Sequence, residues 1–135
     1  MPERGTRERA QRARREGKAP TTQAGEFVRE EMEHIREGKH GARSTKQAIA
    51  IGLSKARRAG VDLPPPEKGT VSARTRKSAE AAYRAGHEHP AHAPSPTRSR
   101  AARRALKRES HQVASRRALA AQAHASARRR HSRKK

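Results

Sequence analysis

The sequence contains no cysteine and no tryptophan, and it has one phenylalanine and one tyrosine among 135 residues. The absence of cysteine excludes disulfides, thiolate catalysis and cysteine-ligated zinc. Stacking on single-stranded bases is not expected, because Tyr83 is the one aromatic residue outside the predicted core. No apolar run approaches the roughly 18 residues that span a bilayer, and the N-terminus lacks the apolar segment of a secretory signal. We therefore expect a cytoplasmic protein with no membrane partner.

Large apolar side chains are also scarce. Leu, Ile, Val and Phe account for twelve of the 135 residues, far below the roughly 20% under which a highly charged chain is typically disordered. Six of the twelve lie in residues 27–53. A compact core is therefore expected to be small and local, and a unit of about 40 residues rarely folds without a metal ion, a disulfide or a partner.

Motifs for catalysis are missing as well. The chain has no HExxH, no glycine-rich nucleotide fingerprint and no Gly-x-Ser-x-Gly elbow. His87, His89 and His92, with Glu88, could be read as a metal site, but the surrounding prolines leave such ligands without preorganisation. We expect no enzyme activity, no cofactor and no metal site.

The strongest structural signal lies in residues 44–61, STKQAIAIGLSKARRAGV. Ser44 can cap a helix, and Gln47 can close a capping box. At 100° per residue, one side of this helix carries Ala48, Ile49, Gly52, Leu53, Ala56 and Ala59. Gly60 suits the left-handed position after a helix, and the prolines at 64–66 prevent continuation. The pattern predicts a short basic amphipathic helix.

A preceding helix is predicted at residues 22–37. Its apolar side consists of Ala24, Phe27, Val28, Met32 and Ile35, and its opposite side is a stripe of Glu26, Glu30, Glu33 and Glu37. The stripe is either an ordinary solvated surface or a partner for the chain's own cations, and it would repel a phosphate backbone. The short loop 38–43 between two facing apolar sides predicts an antiparallel hairpin.

The predicted fold is all-α, a small antiparallel helical hairpin at about 22–60, with a weak third helix at 72–85 left open and extensive disordered or conditionally helical basic termini. The predicted segments are a flexible basic arm at 1–20, the hairpin core at 21–63, a Pro-rich linker at 64–71, a short helix at 72–86, a His/Pro linker at 87–97 and an Ala/Arg-rich tail at 98–135 that becomes helical on binding. Packing of 72–85 on the hairpin is not decided by the sequence.

Charge gives the main functional indication. The chain has 34 Lys and Arg against 13 Asp and Glu, for a net charge of +21, and its pI of 11.8 exceeds the value of about 9 that is typical of nucleic-acid-binding domains. We expect non-specific electrostatic binding of DNA in a nucleoid-associated role. RNA or ribosome binding is the nearest alternative, since the same charges suit either backbone. A protein-interaction module is another, with a homodimer formed through Ala48, Ile49, Gly52 and Leu53, and a disordered solvating protein is a third.

The candidate phosphate contacts lie in two segments. The loop and the central helix supply Lys39, Arg43, Lys46, Lys55, Arg57 and Arg58, with His40 as a neighbouring candidate. The tail supplies Arg98, Arg100, Arg103, Arg104, Lys107, Arg108, Arg116, Arg117, Arg128, Arg129, Arg130, Arg133, Lys134 and Lys135. The loop sequence GKHGARS lacks the Walker pattern, so a structural turn is its simpler interpretation.

Residues 26–60, EFVREEMEHIREGKHGARSTKQAIAIGLSKARRAG, resemble a family of small basic bacterial proteins of unknown function. Members of that family show a basic Gly-containing turn followed by KQAIAIALSxAR. Gly52 stands where the family has alanine, which is expected to loosen the helix slightly. Residues 69–86 and the Ala/Arg tail resemble longer members. The resemblance implies no established activity, although members are sometimes labelled DNA-binding.

Overall fold

The computed structural model of the chain describes residues 2–88 and 96–133. These residues form six α-helices and one short 3₁₀ turn, Gln112–Ala114. The helices are α1 (Arg4–Arg15), α2 (Pro20–Arg36), α3 (Thr45–Arg58), α4 (Ala73–His87), α5 (Pro96–Lys107) and α6 (Arg116–Arg133). None of the helices in these two ranges is long and apolar enough to cross a membrane.

The described residues are all-helical, but the predicted hairpin with a weak third helix and extensively disordered termini is wrong. Helix α1 lies in the segment predicted as a flexible arm, and it packs on α2. Its buried residues are Thr6, Ala10 and Ala13, which recur at helical spacing. Small side chains let two helices approach closely, so α1 buries a face although it has no large apolar residue.

The hairpin of α2 and α3 forms at the predicted position. The Ser44 hydroxyl accepts a hydrogen bond from the Gln47 amide at 3.0 Å, as its sequence predicts. The Gln47 side-chain oxygen accepts a hydrogen bond from the Arg43 amide at 2.6 Å, and not from the Ser44 amide as the predicted capping box requires. Gly52 marks the closest approach of the two helices, because a Cβ there would lie 2.6 Å from Val28 Cα. The glycine therefore sets the spacing of the hairpin, beyond the loosening of α3 that the sequence predicted.

Two clusters of buried apolar residues hold the fold together. The first joins α1, α2 and α3 through Ala10, Ala24, Phe27, Ala56 and Val61. The second joins α2, the loop and α3 to the 3₁₀ turn through Met32, Ile35, Ala42, Ala48 and Ala114. Since Ala114 is fully buried, the basic tail contributes to the core.

The loop 38–43 and the end of α5 are joined by backbone contacts. The Gly41 amide donates to the Leu106 carbonyl at 2.8 Å, and the Ala42 amide donates to the Ser110 carbonyl at 2.9 Å. A Cβ on Gly41 would lie 2.0 Å from the Glu109 carbonyl oxygen, so only glycine permits this approach. The tail is thus anchored to the helical body immediately after α5.

Helix α4 packs on α3, which resolves the position of residues 72–85. Ser72 caps α4 by accepting a hydrogen bond from the Thr75 amide at 3.2 Å, and Ala79 and Ala82 are buried. The Tyr83 hydroxyl donates to Asp62 at 2.6 Å, and this hydrogen bond raises the pKa of Tyr83. The contact fixes α4 to the segment that follows α3.

Candidate nucleic-acid interface

Helices α5 and α6, with Arg108 after the end of α5, carry ten exposed cations. Helix α5 buries no residue, and α6 has no fully buried residue among those described and no acidic residue in its first turn, although Leu119 packs against the second apolar cluster. The exposed cations are Arg100, Arg103, Arg104, Lys107, Arg108, Arg116, Arg117, Arg128, Arg129 and Arg130. Within the described part of the chain, none of these ten side chains lies within ion-pair distance of a carboxylate. Their charge is therefore available to an external anion.

Four further phosphate contacts were predicted in the tail, at Arg98, Arg133, Lys134 and Lys135. Arg98 is exposed at the start of α5, but it already takes part in a contact within the chain. Arg133 ends α6, and its side chain lies outside the described residues together with Lys134 and Lys135. His89 and His92 of the predicted linker also lie outside the described residues.

The fold brings together four predicted contacts from two distant segments. A groove of about 490 Å³ is lined by Lys39 and Lys55 together with Arg103 and Lys107 of α5. Lys39 Nζ lies 3.3 Å from Glu37 and 3.8 Å from Glu3, and Lys55 Nζ contacts Glu31. The α5 cations are thus the part of this groove whose charge is not already compensated.

A second groove separates α3 from α4. It is lined by the predicted contacts Arg43, Lys46 and Arg57, and by Arg74, which the sequence reasoning missed. Arg74 lies in this groove because α4 packs on α3, and the local sequence around Arg74 does not predict that contact. Arg58 of α3 is exposed.

Arg57 is used inside the fold. It is buried, its Nε donates to the Leu63 carbonyl at 3.0 Å, and its Nη2 donates to the Pro64 carbonyl at 3.1 Å. Burial lowers the pKa of the Arg57 guanidinium from its ordinary value. Two carbonyl partners and a buried position leave this side chain poorly placed for a phosphate.

Residues 3–37, which comprise α1, α2 and their flanking residues, hold eight of the thirteen carboxylates. Arg9 of α1 pairs with Glu26 of α2 at 2.9 Å, and two pairs form within helices, Arg4–Glu8 at 2.9 Å and Arg29–Glu33 at 3.1 Å. The acidic stripe of α2 therefore meets the protein's own cations along much of its length. Such exposed pairs stabilise the fold little, but they reduce the field that a phosphate would meet.

Two sets of side chains in the described residues could hold a metal ion. Glu31, His34 and His40 form one, and Glu3, Glu30 and His34 form the other; in each set the ligand atoms lie within 4.8 Å of one another. The His34 ring donates from Nε2 to Glu3 at 3.1 Å. This hydrogen bond, with the charges of His34 and Lys39, lowers the pKa of Glu3.

Residues 15–68 match a family of unknown function, DUF6496. The match covers α2, the loop and α3, and it leaves α4, α5, α6 and all of α1 except Arg15 outside. It carries neither a binding label nor an activity for this region. No significant match was found among curated proteins or solved structures.

Proposed function

We propose that the protein binds DNA non-specifically through the exposed cations of α5 and α6, in a nucleoid-associated role. The observation that carries this proposal is the set of ten exposed Lys and Arg side chains between Arg100 and Arg130, which have no carboxylate partner in the described residues. A cation that neutralises a phosphate releases condensed counterions, so such a set favours any nucleic-acid backbone over a neutral partner.

The anchoring of the tail supports the same role. Leu106 and Ser110 accept backbone hydrogen bonds from the loop 38–43, the Arg36 side chain donates to the Ala114 carbonyl at 2.8 Å, and Thr45 donates to the Val113 carbonyl. The segment 106–114 is therefore anchored to the rest of the fold, with α5 ending at its start and α6 beginning just after its end. An arm whose helices are already formed loses less conformational entropy on binding than a disordered tail.

Dimerisation through α3 stays an untested prediction. Ala48 and Gly52 of that proposed interface are buried against α2 within one chain, so a second copy would meet only the half-buried Ile49 and Leu53.

The proposal is tested by the salt dependence of binding to duplex DNA for two matched variants of the full chain. Replacing Arg128, Arg129 and Arg130 by Gln removes three uncompensated cations of α6. Replacing Arg4, Arg9 and Arg29 by Gln removes the same charge from cations that already face carboxylates. We expect the α6 variant to lose roughly 2–3 units from the slope of log K against log salt, since each phosphate contact contributes about 0.9.

The matched variant is expected to keep nearly the whole slope, although its net charge is the same. Equal losses in the two variants would show that total charge alone decides affinity, and the proposed interface would be wrong. Competition between duplex DNA and structured RNA at several salt concentrations distinguishes the DNA role from the RNA alternative. A clear preference for RNA would move the proposal to that alternative.

A further inference from the structure

The side chains of His40 and Glu31 face each other in an unusual way. The His40 Nδ1 lies 2.9 Å from the Gly41 carbonyl oxygen. A carbonyl can only accept, so Nδ1 carries the proton and, in a neutral ring, Nε2 presents a lone pair. That Nε2 lies 3.2 Å from Glu31 Oε2. Two lone pairs at this distance repel each other unless a positive species lies between them.

The Glu31 carboxylate is buried and only half satisfied. Glu31 is 1% exposed, and its Oε1 is taken by the Lys55 ammonium group. Its Oε2 has no hydrogen-bond partner within the described residues. An unsatisfied buried carboxylate oxygen is costly, so this atom points to a ligand.

His34 completes the arrangement from the same helix. It follows Glu31 by three residues on α2, which places the two side chains on one face. Glu3 accepts a hydrogen bond from His34 Nε2, and a ring nitrogen of His34 lies within 4.8 Å of the ligand atoms of Glu31 and His40. An outer carboxylate that holds a ligating histidine in this way is typical of metal sites.

We propose that Glu31, His34 and His40 form a binding site for one Zn²⁺ ion. Bonds of about 2.0–2.1 Å to nitrogen and oxygen ligands in a tetrahedral site place neighbouring ligand atoms about 3.3 Å apart, close to the 3.2 Å between His40 and Glu31. Two imidazoles and one carboxylate suit zinc better than magnesium or calcium. The site lies at the groove lined by His34, His40 and Lys55, so water can supply a fourth ligand.

The local charge does not oppose a dication as strongly as the net charge of +21 implies. The cations near the site are Lys39, Lys55, Arg103 and Lys107. The carboxylates near it are also four, namely Glu3, Glu30, Glu31 and Glu37. The backbone also holds the ligands in place, because the loop that carries His40 is packed directly on the carbonyl of Glu109 through Gly41.

The test titrates metal-free full-length protein with Zn²⁺ at neutral pH and follows the histidine ring signals by NMR. The chain has eight histidines, so a site-resolved measurement is needed. We expect saturation at one Zn²⁺ per chain, with the rings of His34 and His40 changing first and the melting temperature rising. Changes confined to histidines outside this cluster, or no saturable binding, would overturn the proposal. This measurement uses the natural sequence and does not depend on any variant folding.

Competition with a chromophoric chelator then compares variants. Glu31→Gln and His40→Gln are each expected to weaken Zn²⁺ binding at least tenfold, while His124→Gln, an exposed position on α6, serves as the matched control and is expected to change affinity less than twofold. Circular dichroism confirms that each variant remains helical. If His40→Gln bound Zn²⁺ as tightly as the natural chain, a proton on His40, and not a metal ion, would satisfy Glu31, and the site would be rejected.

Discussion

Helices α1–α3 and helices α5–α6 are both rich in Arg and Ala, yet they differ in what their cations face. In the first group, Arg4, Arg9, Arg29 and Lys55 each pair with a glutamate, whereas Arg7, Arg12, Arg14 and Arg15 of α1 have no carboxylate partner in the described residues. In the second, the cations between Arg100 and Arg130 have no carboxylate partner among the described residues. Basic composition alone therefore does not locate a binding surface, and the two regions are distinguished by the share of their cations that face a carboxylate.

The two regions also differ in what holds them. The first three helices share an apolar cluster around Phe27, whereas α5 buries no residue and is retained through the contacts of the loop 38–43 and the burial of Ala114. The junction at Gly41 is therefore the point at which the two regions can be separated. Substitutions at Gly41 test whether helices α5–α6 and helices α1–α3 have independent roles.

The largest effect is expected for Gly41→Ala. The added Cβ would lie 2.0 Å from a backbone oxygen of Glu109, so the loop and the end of α5 must move apart. We expect a loss of about 1–3 kcal/mol of stability, as for other overpacked sites. Hydrogen exchange should become faster at residues 106–114, while the amides of α1 and α2 keep their protection.

The matched control is Gly25→Ala. Gly25 lies in the interior of α2, and a Cβ there meets nothing within 4 Å. Alanine is better than glycine inside a helix, so this variant is expected to be more stable by roughly 0.5–1 kcal/mol. Uniformly faster exchange in Gly41→Ala, with α1 and α2 released as well, would contradict the separation of the two regions.

The smallest effect is expected from pH and concerns α1. The folded state lowers the pKa of Glu3 below its ordinary value of 4.5, chiefly through the hydrogen bond from His34. A lowered pKa stabilises the folded state above pH 4.5, and this contribution is lost as the pH falls through the folded-state pKa. The melting temperatures of the natural chain and Glu3→Gln should therefore differ at pH 6 and converge toward pH 3. A difference that stays constant over this range would exclude the Glu3 contribution.

Parts of this fold were predictable from local sequence signals. The Ser44 cap and the end of α3 at Gly60, which has a φ of +96°, follow from the preferences of single residues. Helix α1 was missed because it packs through Thr6, Ala10 and Ala13, and a count of large apolar residues does not detect burial by small ones. The tail was missed for the same reason, since its buried residue is Ala114.

The candidate sites show the same division. The abundance of cations at 98–135 was visible in the sequence, and so was the presence of a single acidic residue, Glu109, among them. The internal use of Arg57 and the meeting of Lys39 with Arg103 depend on contacts between distant segments. The approach of His40 to Glu31 depends on the loop packing against α5, and no local pattern encodes it.

The central claim, that DNA contacts the uncompensated cations of α5 and α6, is tested most directly by arginine modification of the full chain with and without duplex DNA. Mass spectrometry then gives the protection of each arginine in one sample. We expect protection at Arg100, Arg103, Arg104, Arg108, Arg116, Arg117 and Arg128–Arg130, and little change at Arg4, Arg9 and Arg29. Protection that is equal in both groups, or stronger in α1–α3, would contradict the account.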